Sequence, residues 1–212
     1  MNLALFTQIT ALVALAITVL AFGQRLRIFN RLLRPVEQAK PKGNTRLGIL
    51  YAFTLGMAPW SKESTRRHWA SYLRGVAFHL SIFLCLMILL ASQWIPSLPA
   101  YWKSLLALGA GLGALFGLIG LVARFVEHNL KTLSTPDDYF AVALVSLFKA
   151  TTALWLIFPA IQPLFYLISA FLLVYAPFGK IRHCIYFAYS RLFYGKFIGS
   201  HSVLPHSQQG TR

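Results

Sequence analysis

Gly75-Val76-Ala77-Phe78-His79-Leu80-Ser81-Ile82-Phe83-Leu84-Cys85-Leu86-Met87-Ile88-Leu89-Leu90 continues to Ile95 without an Asp, Glu, Lys or Arg. A helix rising ~1.5 Å per residue needs about 20 apolar residues to cross ~30 Å of hydrocarbon, and residues 75–95 meet that length. The stretch therefore predicts a membrane-crossing helix. It also contains an imidazole, His79, which loses its water hydrogen bonds in lipid and needs a partner, a wet cavity or a metal.

Four more apolar runs lie around it, at residues 3–22, 104–126, 139–161 and 164–185. With 57% apolar residues, 12% charged residues and a mean hydropathy of +0.61, the chain is too apolar for a 212-residue water-soluble domain. Unpaired backbone is not tolerated in lipid, and the runs lack the alternation of barrel strands, so the fold class is all-α, an integral membrane bundle of five transmembrane helices. Residues 3–22 have no basic start and their basic residues come after them, which reads as an uncleaved first helix rather than a signal peptide. No internal repeat or separate soluble domain is evident. Residues 1–200 read as one five-helix domain, with a basic loop at 24–74 and a tail at 201–212.

Basic residues set the orientation. Eleven Lys or Arg fall in residues 24–74, two in 124–138 and five from Lys180 onward, leaving only Lys103 and Lys149. The short connections at 96–101 and 159–163 carry none, so the positive-inside rule places them outside, with the N-terminus outside and the C-terminus cytoplasmic. The net charge of +15 then reflects topology and attraction to anionic lipid, not nucleic-acid binding. In the basic loop, Arg25, Arg27, Arg31 and Arg34 continue the first helix into the interface, while Pro35, Pro41, Gly43, Gly56 and Pro59 break the rest of the loop into short pieces. Residues 49–57 are apolar but too short to span, which suits a segment lying on the membrane or against a partner. Trp60, Trp69, Trp94, Tyr101 and Trp102 fall near span ends, as interfacial anchors do.

Two histidines stand inside the apolar helices. His79 lies ~6 Å into a helix starting at Gly75, and His183 lies nearly a full span beyond Pro163 on a helix running the other way, so both fall toward the cytoplasmic side. Imidazoles at one depth on two helices can clamp a macrocycle between them, which makes His79 and His183 candidate axial ligands of one b-type haem iron. Iron held by two histidines has no vacant position and passes electrons. Arg74, Lys180 and Arg182 lie at the same end as candidate propionate partners. The alternative is that each histidine merely hydrogen-bonds a neighbouring helix.

Three segments carry a family resemblance: Gly75-Val76-Ala77-Phe78-His79-Leu80-Ser81-Ile82-Phe83, Leu133-Ser134-Thr135-Pro136-Asp137-Asp138-Tyr139-Phe140, and Ala176-Pro177-Phe178-Gly179-Lys180-Ile181-Arg182-His183. Together they resemble the cytochrome b membrane subunit of respiratory nitrate reductase, and more closely its relatives in sulfur-metabolism and heterodisulfide-reductase-like membrane complexes. The resemblance implies a multi-pass subunit of the cell inner (cytoplasmic) membrane. Such a subunit exchanges electrons with menaquinone or ubiquinone and anchors cytoplasmic iron-sulfur or heterodisulfide-reductase-like subunits, with or without other membrane subunits. The inner haem of the di-haem members takes one His from the start of helix two and one from the end of helix five, which map onto His79 and His183. Their outer haem needs two further histidines, and residues 86–92 and 164–173 contain none. One haem b is therefore expected, and the family's outer quinone site does not carry over.

The other candidates are weaker. His68 and His201 form a possible second pair outside the apolar runs, His128 reads as an interfacial loop residue and His206 as tail. Lys149, the one formally charged residue near the middle of a span, either snorkels or pairs with a helix carbonyl, or else contacts a quinone, a propionate or a neighbouring subunit. Gly109, Gly113 and Gly117 repeat at helix-packing spacing, with close approach to a porphyrin face as the alternative. Pro177 and Gly179 loosen helix five before His183. Cys85 and Cys184 provide neither a disulfide framework nor an iron-sulfur site, and no nucleotide-binding or zinc-protease motif is present. Two readings remain: an electron-transfer subunit, not catalytic alone, or a haem-free membrane anchor of such a complex.

Overall fold

In the computed structural model, residues 2–32, 40–61 and 63–203 are described, and among them the chain is helical with no strand. Arg34, Pro35 and His206 lie outside the described residues. The helices are α1 (Leu3–Arg31), α2 (Thr45–Phe53), α3 (Glu63–Arg67), α4 (Trp69–Leu90), α5 (Ala100–Val126), α6 (His128–Leu133), α7 (Pro136–Ile157), α8 (Gln162–Tyr175) and α9 (His183–Ser200). By length and apolarity α1, α4, α5 and α7 can cross a membrane, and α8 with α9 add a fifth crossing if counted as one broken span.

Local chemistry sets the boundaries. Helix α7 starts where Thr135 and Asp138 form a capping box around Pro136, with the Asp138 carboxylate accepting from the Thr135 N–H at 2.9 Å and hydroxyl at 2.8 Å. Asn44 caps α2 by accepting from the N–H groups of Arg46 (2.9 Å) and Leu47 (3.3 Å). Helix α4 ends at Leu90, short of the predicted Ile95, and residues 91–97 continue as tight turns, with a 3-10 helix at Ile95–Ser97. Its start, at Trp69 rather than Gly75, adds the polar turn containing Arg74. The predicted span at 164–185 is interrupted: α8 stops at Tyr175, and Pro177, which has no N–H to continue the ladder, opens a turn before α9 begins at His183. His183 therefore opens a helix instead of closing one.

Two compact units result, Met1–Gly23 with Ala70–Arg182, and Gln24–Trp69 with His183–Arg212. The first is organised around α5 and α7. Its core joins Ala110 of α5, Cys85 and Ile88 of α4, Phe148 and Trp155 of α7, and Phe165 and Tyr166 of α8. The rings of Trp155 and Phe165 stack at 4.5 Å. Hydroxyls in this core turn back onto their own helices, as Thr152 does to the Phe148 carbonyl (2.7 Å) and Ser169 to that of Phe165 (2.6 Å), so they enter an apolar setting already satisfied. Helix α1 adds a narrow face of Thr7, Ala11, Ala14 and Thr18, and the Thr18 hydroxyl donates to the Leu173 carbonyl of α8 at 2.6 Å.

The second unit is built on α2 packed against α9. Gly48 of α2 lies against Gly195 and Gly199 of α9 so closely that a Cβ on any of the three would run into backbone of the opposite helix. The N–H groups of Lys42 and Gly43 both donate to the Ser200 carbonyl, at 2.8 and 3.1 Å, which satisfies the C-terminal end of α9. On the same unit Phe29, near the end of α1, packs its ring edgewise on Tyr189 at 4.3 Å and lies 6.0 Å from Tyr186.

Candidate functional site

His79 lies ten residues into α4, close to the middle of that helix, and its side chain is exposed on the surface of the chain. Its Nδ1 lies 2.7 Å from the Gly75 carbonyl one turn back. A carbonyl only accepts, so in the neutral ring Nδ1 carries the proton and the lone pair resides on Nε2. A backbone carbonyl on the far ring nitrogen is the arrangement that fixes the tautomer of a metal-ligating histidine. The His79 ring meets the Phe78 ring edgewise at 5.7 Å, and Phe78 and Ser81 also reach into the packing of α4 on α5 and α7.

That packing is centred on Lys149, whose side chain is 0% exposed. Its ammonium donates to the Gly113 carbonyl of α5 at 2.7 Å and to the Ser81 hydroxyl of α4 at 3.3 Å, and rests 3.3 Å from the centroid of the Phe78 ring. Two oxygen acceptors and one π face thus surround the Lys149 nitrogen. This is pairing with a helix carbonyl, not snorkelling, and it is made within the chain. Gly113 permits it, because a Cβ there would strike Ser81 and press on the Lys149 stem. Gly117 similarly leaves room for Phe78 and Ser146, and Gly109 for Leu84, so this glycine row serves helix packing.

A second polar cluster brackets the interruption after α8. The Tyr175 hydroxyl donates to Asp137, and the Lys180 ammonium pairs with Asp138 at 3.1 Å. Gly179 makes the first contact possible, since a side chain there would occupy the space of the Tyr175 ring. The two carboxylates that open α7 therefore grip the residues on both sides of Pro177. On the same side of the first unit, the Tyr139 hydroxyl donates to the Arg124 carbonyl (3.0 Å) and the Arg124 guanidinium to the Ser134 hydroxyl (3.2 Å).

Of the remaining predicted residues, Arg74 is half-buried on α4 and Arg182 is exposed in the turn before α9. Lys180, predicted to meet a propionate, pairs with Asp138. His183 is exposed as the first residue of α9, in the second unit, whereas His79 belongs to the first. His68 is exposed between α3 and α4. His201 comes directly after α9, with Nδ1 2.8 Å from the Phe197 carbonyl. His128 opens the short helix α6 and is exposed.

Sequence reasoning missed the α2–α9 contact and the Asp137–Tyr175 bond. Gly195-x-x-x-Gly199 is a readable packing pattern, and Thr135-x-x-Asp138 is a readable capping box, whereas the partners Gly48 and Tyr175 are set only by the tertiary fold. Comparison with known proteins finds no matching family, no matching curated protein and no matching solved structure.

Proposed function

We propose that this chain is the haem b-carrying membrane subunit of a quinone-linked oxidoreductase complex, with His79 and His183 as the axial ligands. The observation that carries the reading is the Nδ1 contact of His79 with the Gly75 carbonyl. It puts the lone pair of the ring on Nε2, on the exposed side of an apolar helix long enough to cross a membrane. His183, exposed at the start of a helix, is the second ligand that the family resemblance assigns. The bound haem would supply one-electron transfer between the quinone pool and cytoplasmic iron-sulfur subunits.

The chain's own residues supply position and charge in this reading. Gly75 sets the tautomer of His79. Lys149, Ser81 and Phe78 fix the rotation of α4 about its axis, and Asp137 and Asp138 hold the turn that leads into His183. Arg74 and Arg182 provide cationic side chains for propionates, and Lys180 could do so only by sharing its ammonium with Asp138. With five crossings, the last at residues 164–185, the N-terminus is outside and the basic loop and tail face the cytoplasm of a cell whose inner membrane holds the complex.

A reduced-minus-oxidised absorption spectrum of the purified chain tests this. A b-type band present in the wild type and absent in both His79→Ala and His183→Ala is expected. The rival is a haem-free anchor, in which the bond to Gly75 serves only to settle His79 on its own helix; the absence of any band in chain isolated with its complex would establish it.

A further inference from the structure

The Phe78 ring has a histidine at its edge and a lysine on its face. Its centroid lies 5.7 Å from that of the His79 ring, with the two planes at 81°, and Lys149 Nζ sits 3.3 Å from the same centroid. Lys149 Nζ is therefore no more than ~9 Å from the centre of the His79 ring, a range over which a unit charge acts strongly in an interior of low dielectric constant. Phe78, His79, Ser81, Gly113 and Lys149 all belong to the first unit. The side chain of Lys149 is wholly buried, so salt and water do little to screen it.

What surrounds Lys149 suits an amine in either protonation state. An ammonium donates to the Gly113 carbonyl at 2.7 Å and to the Ser81 hydroxyl at 3.3 Å and rests on the Phe78 ring, while the Ser81 hydroxyl donates to the Phe78 carbonyl at 2.8 Å. A neutral amine keeps the bond to Gly113 and offers its lone pair to Ser81, whose hydroxyl has only to turn from its own helix to donate. Among the described residues no carboxylate pairs with Lys149 to hold it in the charged form. The titratable group that acts on it is the Cys85 thiol of α4, itself buried and hydrogen-bonded to Thr152 of α7, and α5 faces it with the Gly113 carbonyl.

We infer that Lys149 is a redox-linked proton site, which takes up one proton from water when an electron reaches the iron on His79 and releases it when the electron leaves. This rests on the haem proposed above and needs only its His79 side. Reduction lowers the charge at that iron by one, so the nearby amine holds its proton more tightly. An N–H bond forms on Nζ on reduction and breaks on reoxidation, with the electron supplied by a quinol. Lys149 acts through Phe78 and is a positioning residue, not a ligand.

Redox titration of the b-type band of the full purified chain, at a series of pH values, tests this. The midpoint potential of the wild type should stand above that of Lys149→Met at low pH, where Lys149 is protonated in both oxidation states. The gap should narrow as pH rises, because a proton held more tightly by the reduced state makes the wild-type potential fall with pH. Cys85→Ser should keep the wild-type profile, which separates Lys149 from its thiol neighbour. If Lys149→Met does not fold, Ser81→Ala removes the hydroxyl that serves both forms of the amine and should displace the pH range of the fall. Equal potentials in wild type and Lys149→Met, a gap that is the same at every pH, or a profile unmoved by Ser81→Ala overturns the inference while the band itself upholds the haem. No band in the wild type overturns the haem reading, and this inference with it.

Discussion

Lys149 and Gly113 are joined across the α5–α7 packing by a 2.7 Å hydrogen bond from ammonium to carbonyl, with Ser81 and the Phe78 ring completing the enclosure. The bond ties α7 to α5 and, through Ser81, to α4. It is also the point at which the fold buries a lysine side chain completely, and its removal should have a measurable signature.

Lys149→Met preserves the length of the stem and removes the cost of dehydrating an ammonium. Buried charges replaced by apolar groups of similar volume often leave stability unchanged or raise it by ~1–4 kcal/mol, so the unfolding midpoint in detergent should hold or rise. The haem band should persist in this variant if the proposed function is correct. A slowed quinol-driven reduction with that band intact would make Lys149 a quinone contact despite its enclosure.

Gly48→Val should separate α2 from α9. An added side chain there meets the backbone of Gly195 and Gly199, and overpacking of this kind costs roughly 1–3 kcal/mol or more. Gly120→Ala is the matched control, because nothing lies within 4 Å of its Cβ position and the change should be neutral or stabilise the helix by ~1 kcal/mol. Limited proteolysis at residues 40–61 should distinguish the two variants, with faster cleavage in the first only.

Tyr175→Phe and Asp138→Ala should loosen the turn at Pro177 by different amounts. The first removes a hydrogen bond to a carboxylate, worth ~1.5–3 kcal/mol; the second removes the capping box of α7, worth ~1 kcal/mol, and an exposed ion pair that contributes little. Thermal unfolding of each single variant gives the ranking. A loss in Asp138→Ala no greater than in a Lys180→Ala variant would show that the cap adds nothing.

Thr18→Val keeps the shape of the side chain and deletes the bond to the Leu173 carbonyl. Interhelical bonds of this type in membranes average ~0.6 kcal/mol with a maximum near ~1.7, so a small fall in the unfolding midpoint is expected. A larger fall would mean that the α1–α8 contact depends on this bond more than on Ala11 and Ala14.

The apolar runs were legible because lipid imposes one rule, helical backbone over about 20 residues, on any sequence that enters it. The boundaries were less legible: α4 stops at Leu90 rather than 95, α7 starts at Pro136 rather than 139, and the run at 164–185 is broken after Tyr175. The interruption at Ala176 was only half visible: Pro177 and Gly179 suggest loosening, but the restart of helix at His183 depends on how Asp137 and Asp138 hold the turn. Counting helical rise from Pro163 to His183 therefore assumed a continuity that α8 and α9 lack. Residues 49–57 were recognised as too short to span, yet nothing in their composition named α9 as their partner, since glycine contacts depend on two helices meeting in register. Lys149 was conspicuous in sequence as a charge out of place, and its acceptor was not, because a helix carbonyl looks the same at every position.

Enclosing Lys149 also bears on how the chain is made. A lysine near the centre of a helix disfavours its insertion into a bilayer by ~2.5–3.5 kcal/mol, so α7 enters most easily where acceptors are waiting. Ser81 and Gly113 both precede Lys149 in the chain, and the ribosome delivers α4 and α5 to the membrane first. The order of synthesis thus matches the order of need, and a circular permutant that presents α7 before α5 should insert poorly while its finished fold remains the same.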